Sequence, residues 1–134
     1  MQRKLGNIFM LKPTEKSQTI STSQAIRDGL LEVAKSDPSV VFFAQGVEDP
    51  TAVFGTLKDI GKSIDPTRMV EMPIAENGMI GIAIGAAVSG QRPIVSLHRV
   101  EFALLAMEQI INNAAKISFL SGGVECVPIL LRMI

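Results

Sequence analysis

The chain has 134 residues, enough for one domain with one core, and its 13 basic and 13 acidic residues cancel to zero net charge. That balance leaves no electrostatic footprint for nucleic acid or a membrane surface. Hydrophobic residues make up 47% and charged residues 19%. A domain this small has too much surface to hide that much apolar material by itself, which points to a buried interface with a partner. The longest uncharged run, residues 77–91, is shorter than the ~20 residues a membrane-spanning helix needs. One cysteine, Cys126, excludes an intrachain disulfide and suits a reducing compartment.

Residues 1–20 read as a flexible arm; their apolar stretch, residues 8–11, is too short for a signal peptide. Residues 21–134 read as one domain. Thr22 or Ser23 is expected to cap a helix in which Ile26, Leu30, Val33 and Ala34 follow at helical spacing, and Asp37-Pro38 stops it. VVFFA (40–44) is a continuous apolar run, the pattern of a parallel strand buried on both faces. After a loop over 45–50, Phe54, Leu57 and Ile60 suit a short helix ending near Gly61. A second strand is expected over 68–72. PIAENGMIGIAIGAAVSG (73–90) then forms a helix ending at Ser89-Gly90. A third strand covers 93–97. A long helix runs from about 102 to 120, with Leu105, Ile110 and Ala114 facing inward, and Ser121-Gly122-Gly123 ends it. VPILLRMI (127–134) is a fourth strand.

Strands alternating with helices predict an α/β fold, a mostly parallel sheet with helices on both faces. Ligands of such sheets sit beyond the carboxyl ends of the strands. Three loops fall there: 45–50, 73–76 and 98–102. The chain stops inside an apolar strand, so the sheet reads as incomplete at the C-terminus, the front part of something longer.

The stretch 73–90 carries the sharpest signal. Glu76 and Asn77 stand at the mouth of a segment without charge, and Gly78, Gly81 and Gly85 recur along one helix face. Glycine costs roughly 1 kcal/mol against alanine inside a helix, so their number suggests close approach by another backbone or a cofactor. No phosphate loop and no dinucleotide fingerprint is present, and one histidine with one cysteine argues against a zinc site. Glu76 admits two readings. It is an acid favoured by the dipole of a helix first turn, or a shielded carboxyl at the ligand edge, able to donate and accept a proton. Phe102 suits either a core position or a flat apolar wall for an aromatic ligand. His98 and Gln45 lie on the neighbouring junctions as ordinary loop residues or pocket residues.

Three motifs carry a resemblance: PIAENGMIGIAIGAAVSGQRP (73–93), VEFALLAMEQIINNAAK (100–116) and SGGVECVPILLR (121–132). In this order and spacing, the run from about Ala25 to Met133 resembles the beta subunit of the thiamine-diphosphate-dependent decarboxylating component of 2-oxo acid dehydrogenases. This is the pyruvate, branched-chain and acetoin dehydrogenase type of the transketolase-like superfamily. The resemblance implies a thiamine-diphosphate-binding fold, the pyrimidine domain. It implies that Glu76 is the catalytic glutamate, whose carboxyl hydrogen-bonds a ring nitrogen of the aminopyrimidine and so activates the thiazolium carbon. Phe102 falls on the aromatic position against the aminopyrimidine, and His98 on a pocket position that is often methionine. Gln45 stands at the pocket loop where many members carry a glutamate. Gly81 and Gly85 fall on the glycine motif through which paired subunits pack. Ile129 falls on a position whose backbone carbonyl joins a structural potassium site in some members. Magnesium would be held mainly by an alpha subunit, since the Gly-Asp-Gly signature is absent here. The implied partners are that alpha subunit, a second beta subunit in a heterotetramer, and a lipoyl acyltransferase core. The implied compartment is the bacterial cytoplasm or the mitochondrial matrix.

The resemblance leaves two other readings open: a truncated, non-catalytic module that keeps the packing surface, and another transketolase-superfamily enzyme. A chain of this length is expected to be inactive alone.

Overall fold

A computed structural model of the chain describes residues 19–49 and 51–133. The expected arm, apart from Thr19 and Ile20, lies outside the described residues. Helix α1 spans Thr22–Ser36, and its cap is Ser21, one residue ahead of the expected Thr22 and two ahead of the alternative Ser23. The Ser21 hydroxyl accepts the Gln24 N–H at 3.2 Å, satisfying a donor that the first turn leaves open. Leu30 and Ala34 face the core, whereas Ile26 and Val33 are exposed.

Strand β1 is Val40–Ala44, all five residues buried. Strand β2 is Met69–Glu71, helix α2 is Glu76–Val88, strand β3 is Arg92–Ser96, and strand β4 is Leu130–Arg132. The four strands form one parallel sheet in the order β2-β1-β3-β4, the parallel α/β architecture expected from the alternation. Alternate residues of β1 serve different cores. Val41 and Phe43 join Val95, Met79, Ile80, Ala83 and Ile84 on the α2 side. Val40, Phe42 and Ala44 join Ile94, Leu30, Ala34 and Ile60 on the α1 side. This two-sided burial explains why β1 has no polar alternation.

Three expectations are corrected. The helix expected around residues 54–61 is a pair of 3₁₀ turns, Ala52–Gly55 and Ile60–Lys62. Val53, Phe54 and Asp59 there adopt left-handed backbone, with φ of 47°, 57° and 61°. That conformation costs roughly 1–2 kcal/mol per residue; the burial of Val53, Leu57 and Ile60 against α1 and β1 offsets it. The long helix expected over 102–120 winds as a 3₁₀ stretch, Val100–Ala106, a π stretch, Gln109–Ala114, and a short helix α3, Ile117–Leu120. Changing the winding changes which residues face inward. Ala103 and Ala106 are buried, while Leu105 is exposed. The fourth strand is shorter than residues 127–134, because only Leu130–Arg132 pair with β3.

Arg68 ties these layers together. Its Nε donates to Val40 O at 2.6 Å, and its Nη2 donates to Ala34 O and Asp37 O at 2.9 Å each. The guanidinium thereby closes the carboxyl end of α1 onto the start of β1. Replacing Arg68 with Met should destabilise the chain by about 3 kcal/mol in urea denaturation, since three charge-assisted bonds to backbone carbonyls are lost.

Asp37 gives a pH test. Its carboxyl is held below the ordinary 3.8 chiefly by the Ser39 hydroxyl, then by the Ser39 N–H and the Arg92 charge. A lowered folded-state value means the contribution is present above about pH 4 and is lost as pH falls through that lowered value. Asp37→Asn should therefore flatten the acid limb of the stability profile, measured by thermal unfolding between pH 7 and pH 3.

Candidate functional site

The register places Glu71, Ala44, Ser96 and Arg132 level with one another across the sheet, and this row is its carboxyl edge. The loops leaving β1, β2 and β3 all start there, as parallel strands require. Two interactions hold the first two loops together. Gln45 Nε2 donates to Pro73 O at 3.3 Å. The Glu71 carboxylate accepts the Gly46 N–H at 2.5 Å and the Val47 N–H at 2.7 Å. Gly46 reaches this geometry with φ of 73°, open to glycine without a Cβ clash.

Glu76 is the first residue of α2. Ala75 before it offers no side-chain cap, and its N–H turns back to Pro73 O at 2.8 Å. The carboxyl therefore sits where the helix dipole favours negative charge. Glu76 is only 6% exposed, among residues that feed the core of Met72, Met79, Ile80 and Leu97. Its carboxyl makes no hydrogen bond or ion pair among the described residues, where no buried side-chain oxygen is both sealed from solvent and unpartnered. The carboxyl is thus shielded by protein, open on one side, and unspent as an acceptor. Such a group can take a hydrogen bond from a ligand N–H, or pass a proton to a ring nitrogen, without breaking a bond within the protein.

The other candidates sort by strand. Gln45 follows β1, Glu76 follows β2, and His98 and Phe102 follow β3, so the fold brings all of them to the carboxyl edge. His98 is half-buried. Phe102 is 37% exposed on the 3₁₀ stretch that packs against α2. Ile129 is not at this edge: it precedes β4, at the amino end of the sheet, and donates its N–H to Val127 O at 2.8 Å. Gly81 faces its own chain, where an added Cβ would lie 3.5 Å from Gln109 Oε1; at Gly85 nothing lies within 4 Å. Among the described residues no group of three or more His, Cys, Asp or Glu could hold a metal ion, and no helix is long and apolar enough to cross a membrane.

Sequence reasoning missed two charged residues at this edge, Glu71 and Arg132. Each is a charged residue at the end of an apolar strand, which is the one signal that could have marked them.

Residues 18–129 match the family described as transketolase, pyrimidine binding domain, and the chain belongs to that family. Its curated relatives include beta subunits of the pyruvate dehydrogenase E1 component. The protein of that name from Chaetosphaeridium globosum is 39% identical over 109 residues, 81% of this chain and 33% of that protein. The mitochondrial one from Caenorhabditis elegans is 34% identical over 134 residues, covering 97% of this chain and 38% of the relative. The one from Rhizobium meliloti is 33% identical over 114 residues, 85% of this chain and 25% of the relative. The chain therefore spans well under half the length of the relatives it matches.

Glu71→Ala should release the first loop. Hydrogen exchange at the Gly46 and Val47 amides should speed up, while the amides of β1 keep their protection, because the lost bonds are local to the loop.

Proposed function

We propose that this chain is the pyrimidine-binding part of a beta subunit in a thiamine-diphosphate-dependent 2-oxo acid dehydrogenase, with Glu76 as its catalytic acid. The single observation that carries this reading is the nearly buried Glu76 carboxyl with no partner among the described residues. A ring nitrogen of an aminopyrimidine can accept the proton of that unpartnered carboxyl and, once protonated, donate its N–H back to the carboxylate, so the residues present fit it. When bound, thiamine diphosphate would supply a nucleophilic thiazolium carbon and an electron sink for decarboxylation of a 2-oxo acid. The chain's own residues do the rest. Glu76 shares a proton with the ring at the low-dielectric mouth of α2. Phe102 offers an aromatic face beside α2, His98 stands on the same loop, and Gln45 braces the 73–76 turn.

In this reading the acyl group passes to a lipoyl arm on an acyltransferase core. Magnesium and the diphosphate are held mainly by an alpha subunit, and Ile129 offers a carbonyl to a potassium ion. The partners are the alpha subunit and a second beta subunit. An apolar strip on the open side of α2 supports such pairing: Gly78, Ile82, Gly85 and Val88 are exposed, with Ile82 at 54%.

The test is Glu76→Gln in the beta subunit assembled with its alpha partner. It keeps size and hydrogen bonding but removes the exchangeable acid proton. Decarboxylation of the 2-oxo acid should fall by roughly 10²–10⁴-fold, with deuterium exchange at the thiazolium carbon slowed in parallel and cofactor affinity little changed. Activity equal to the parent would remove Glu76 from the chemistry.

Gly85→Leu separates packing from folding. The isolated chain should become slightly more stable, by up to about 1 kcal/mol from helix propensity, because the side chain enters open space. Association with the partner subunits, followed by sedimentation, should weaken.

A further inference from the structure

The α1 side of the carboxyl edge holds a second polar cluster that the reading of Glu76 does not use. Arg132, the last residue of β4, donates Nη1–H to Ser96 Oγ and Nη2–H to Thr56 Oγ1, both at 2.9 Å. Both acceptors are neutral and almost fully buried, Ser96 at 1% and Thr56 at 2% exposure. The Thr56 hydroxyl proton is already committed to Val53 O at 2.7 Å. The Ser96 hydroxyl proton has no acceptor among the described residues. A guanidinium has five N–H donors, and beyond these two bonds those of Arg132 have no acceptor among the described residues.

Among the described residues a counter-charge is missing as well. The ion pairs among the described residues are Arg27–Asp28, Lys62–Asp59, Arg92–Asp37 and Arg99–Glu101, none of which involves Arg132. Glu71 shares the level of Arg132 but stands at the opposite edge of the sheet, about 14 Å away at ordinary strand spacing. Its carboxylate is occupied by Gly46 and Val47. Desolvation acts on the guanidinium unrelieved, and burial pushes Arg132 below its ordinary value. The cluster offers spare donors, positive charge and no acid, on a dry floor of two hydroxyls.

We propose that Arg132 and Ser96 form a binding site for a small oxyanion, a carboxylate or a phosphate, at the carboxyl edge of β3 and β4. A planar guanidinium matches two oxygens of such a group, and the Ser96 hydroxyl adds a third donor from within the sheet. The site lies on the sheet face opposite α2, and its occupancy is independent of cofactor binding at Glu76.

The test uses the full chain and its Arg132 side-chain N–H signals in ¹H–¹⁵N spectra, titrated separately with sodium acetate and sodium phosphate at constant ionic strength. Saturable shifts of the Arg132 signals are expected. Acetate alone producing them identifies a carboxylate ligand, and phosphate alone an inorganic or esterified phosphate. Ser96→Asp, which places a carboxylate beside the guanidinium within the chain, should abolish the response. Weak, non-saturating shifts with both salts, or a Ser96→Asp chain that responds like the parent, would overturn the site. The titration of the unmodified chain decides the matter even where the variant fails to fold.

Discussion

The burial of α2 against the middle of the sheet is the constraint on which the other features depend. Beyond Glu76 the helix carries no charge, and Met79, Ile80, Ala83 and Ile84 pack on the face made by β1 and β3. Each large apolar side chain buried this way contributes about 1.5–3 kcal/mol. The helix must enter from β2, an edge strand, and cross over β1 to deliver the chain to β3. That path sets the short turn at residues 73–75, and the turn sets Glu76 at the border between core and solvent. A carboxyl at that border is a consequence of the route the helix takes, and its shielding follows from the same packing that holds the sheet together.

Two carboxylates a few residues apart then meet opposite fates. Glu71 is exposed, yet its oxygens are engaged by two backbone N–H groups, so it holds a loop in place. Glu76 is shielded, yet its oxygens are unspent. A carboxylate whose acceptor capacity is used internally stabilises local structure; one kept dry and unpartnered is poised for a ligand. The difference separates an acid whose acceptors are used within the described residues from one whose acceptors are open more sharply than proximity to the edge does. The same comparison sets Arg132 apart from Arg68. Arg68 spends its donors on backbone carbonyls at the end of α1 and the start of β1, while Arg132 meets only two hydroxyls among the described residues.

The elements legible in the sequence are those whose burial pattern is simple. VVFFA is buried on both faces and could be little else than a central strand, and the structure gives it the bounds expected. The 73–90 stretch is apolar, long enough for a helix and bounded by proline and glycine, and α2 lies within it. The elements that were misread are those in which packing overrides local preference. Val53 and Phe54 have no propensity for left-handed backbone, and only the core beneath α1 explains it. The 100–120 region has a helical composition throughout. Its change from 3₁₀ to π winding lets Ala103 and Ala106 reach the core while Gln109 lies across Gly81, a fit that periodicity cannot anticipate.

The sequence by itself determined the class of fold, the parallel order of strand and helix, and the candidacy of Glu76, because hydrophobic period and chain punctuation are local properties. The tertiary structure decided which polar groups are spent and which are free. Among the described residues it found Glu71 taken by the first loop, left the Glu76 carboxyl without a partner, turned Gly81 toward its own chain and Gly85 to the outside, and set Arg132 beside two hydroxyls with no acid. Hydrogen-bond satisfaction depends on residues far apart in the chain, such as Thr56 and Arg132, so only the folded arrangement reveals it.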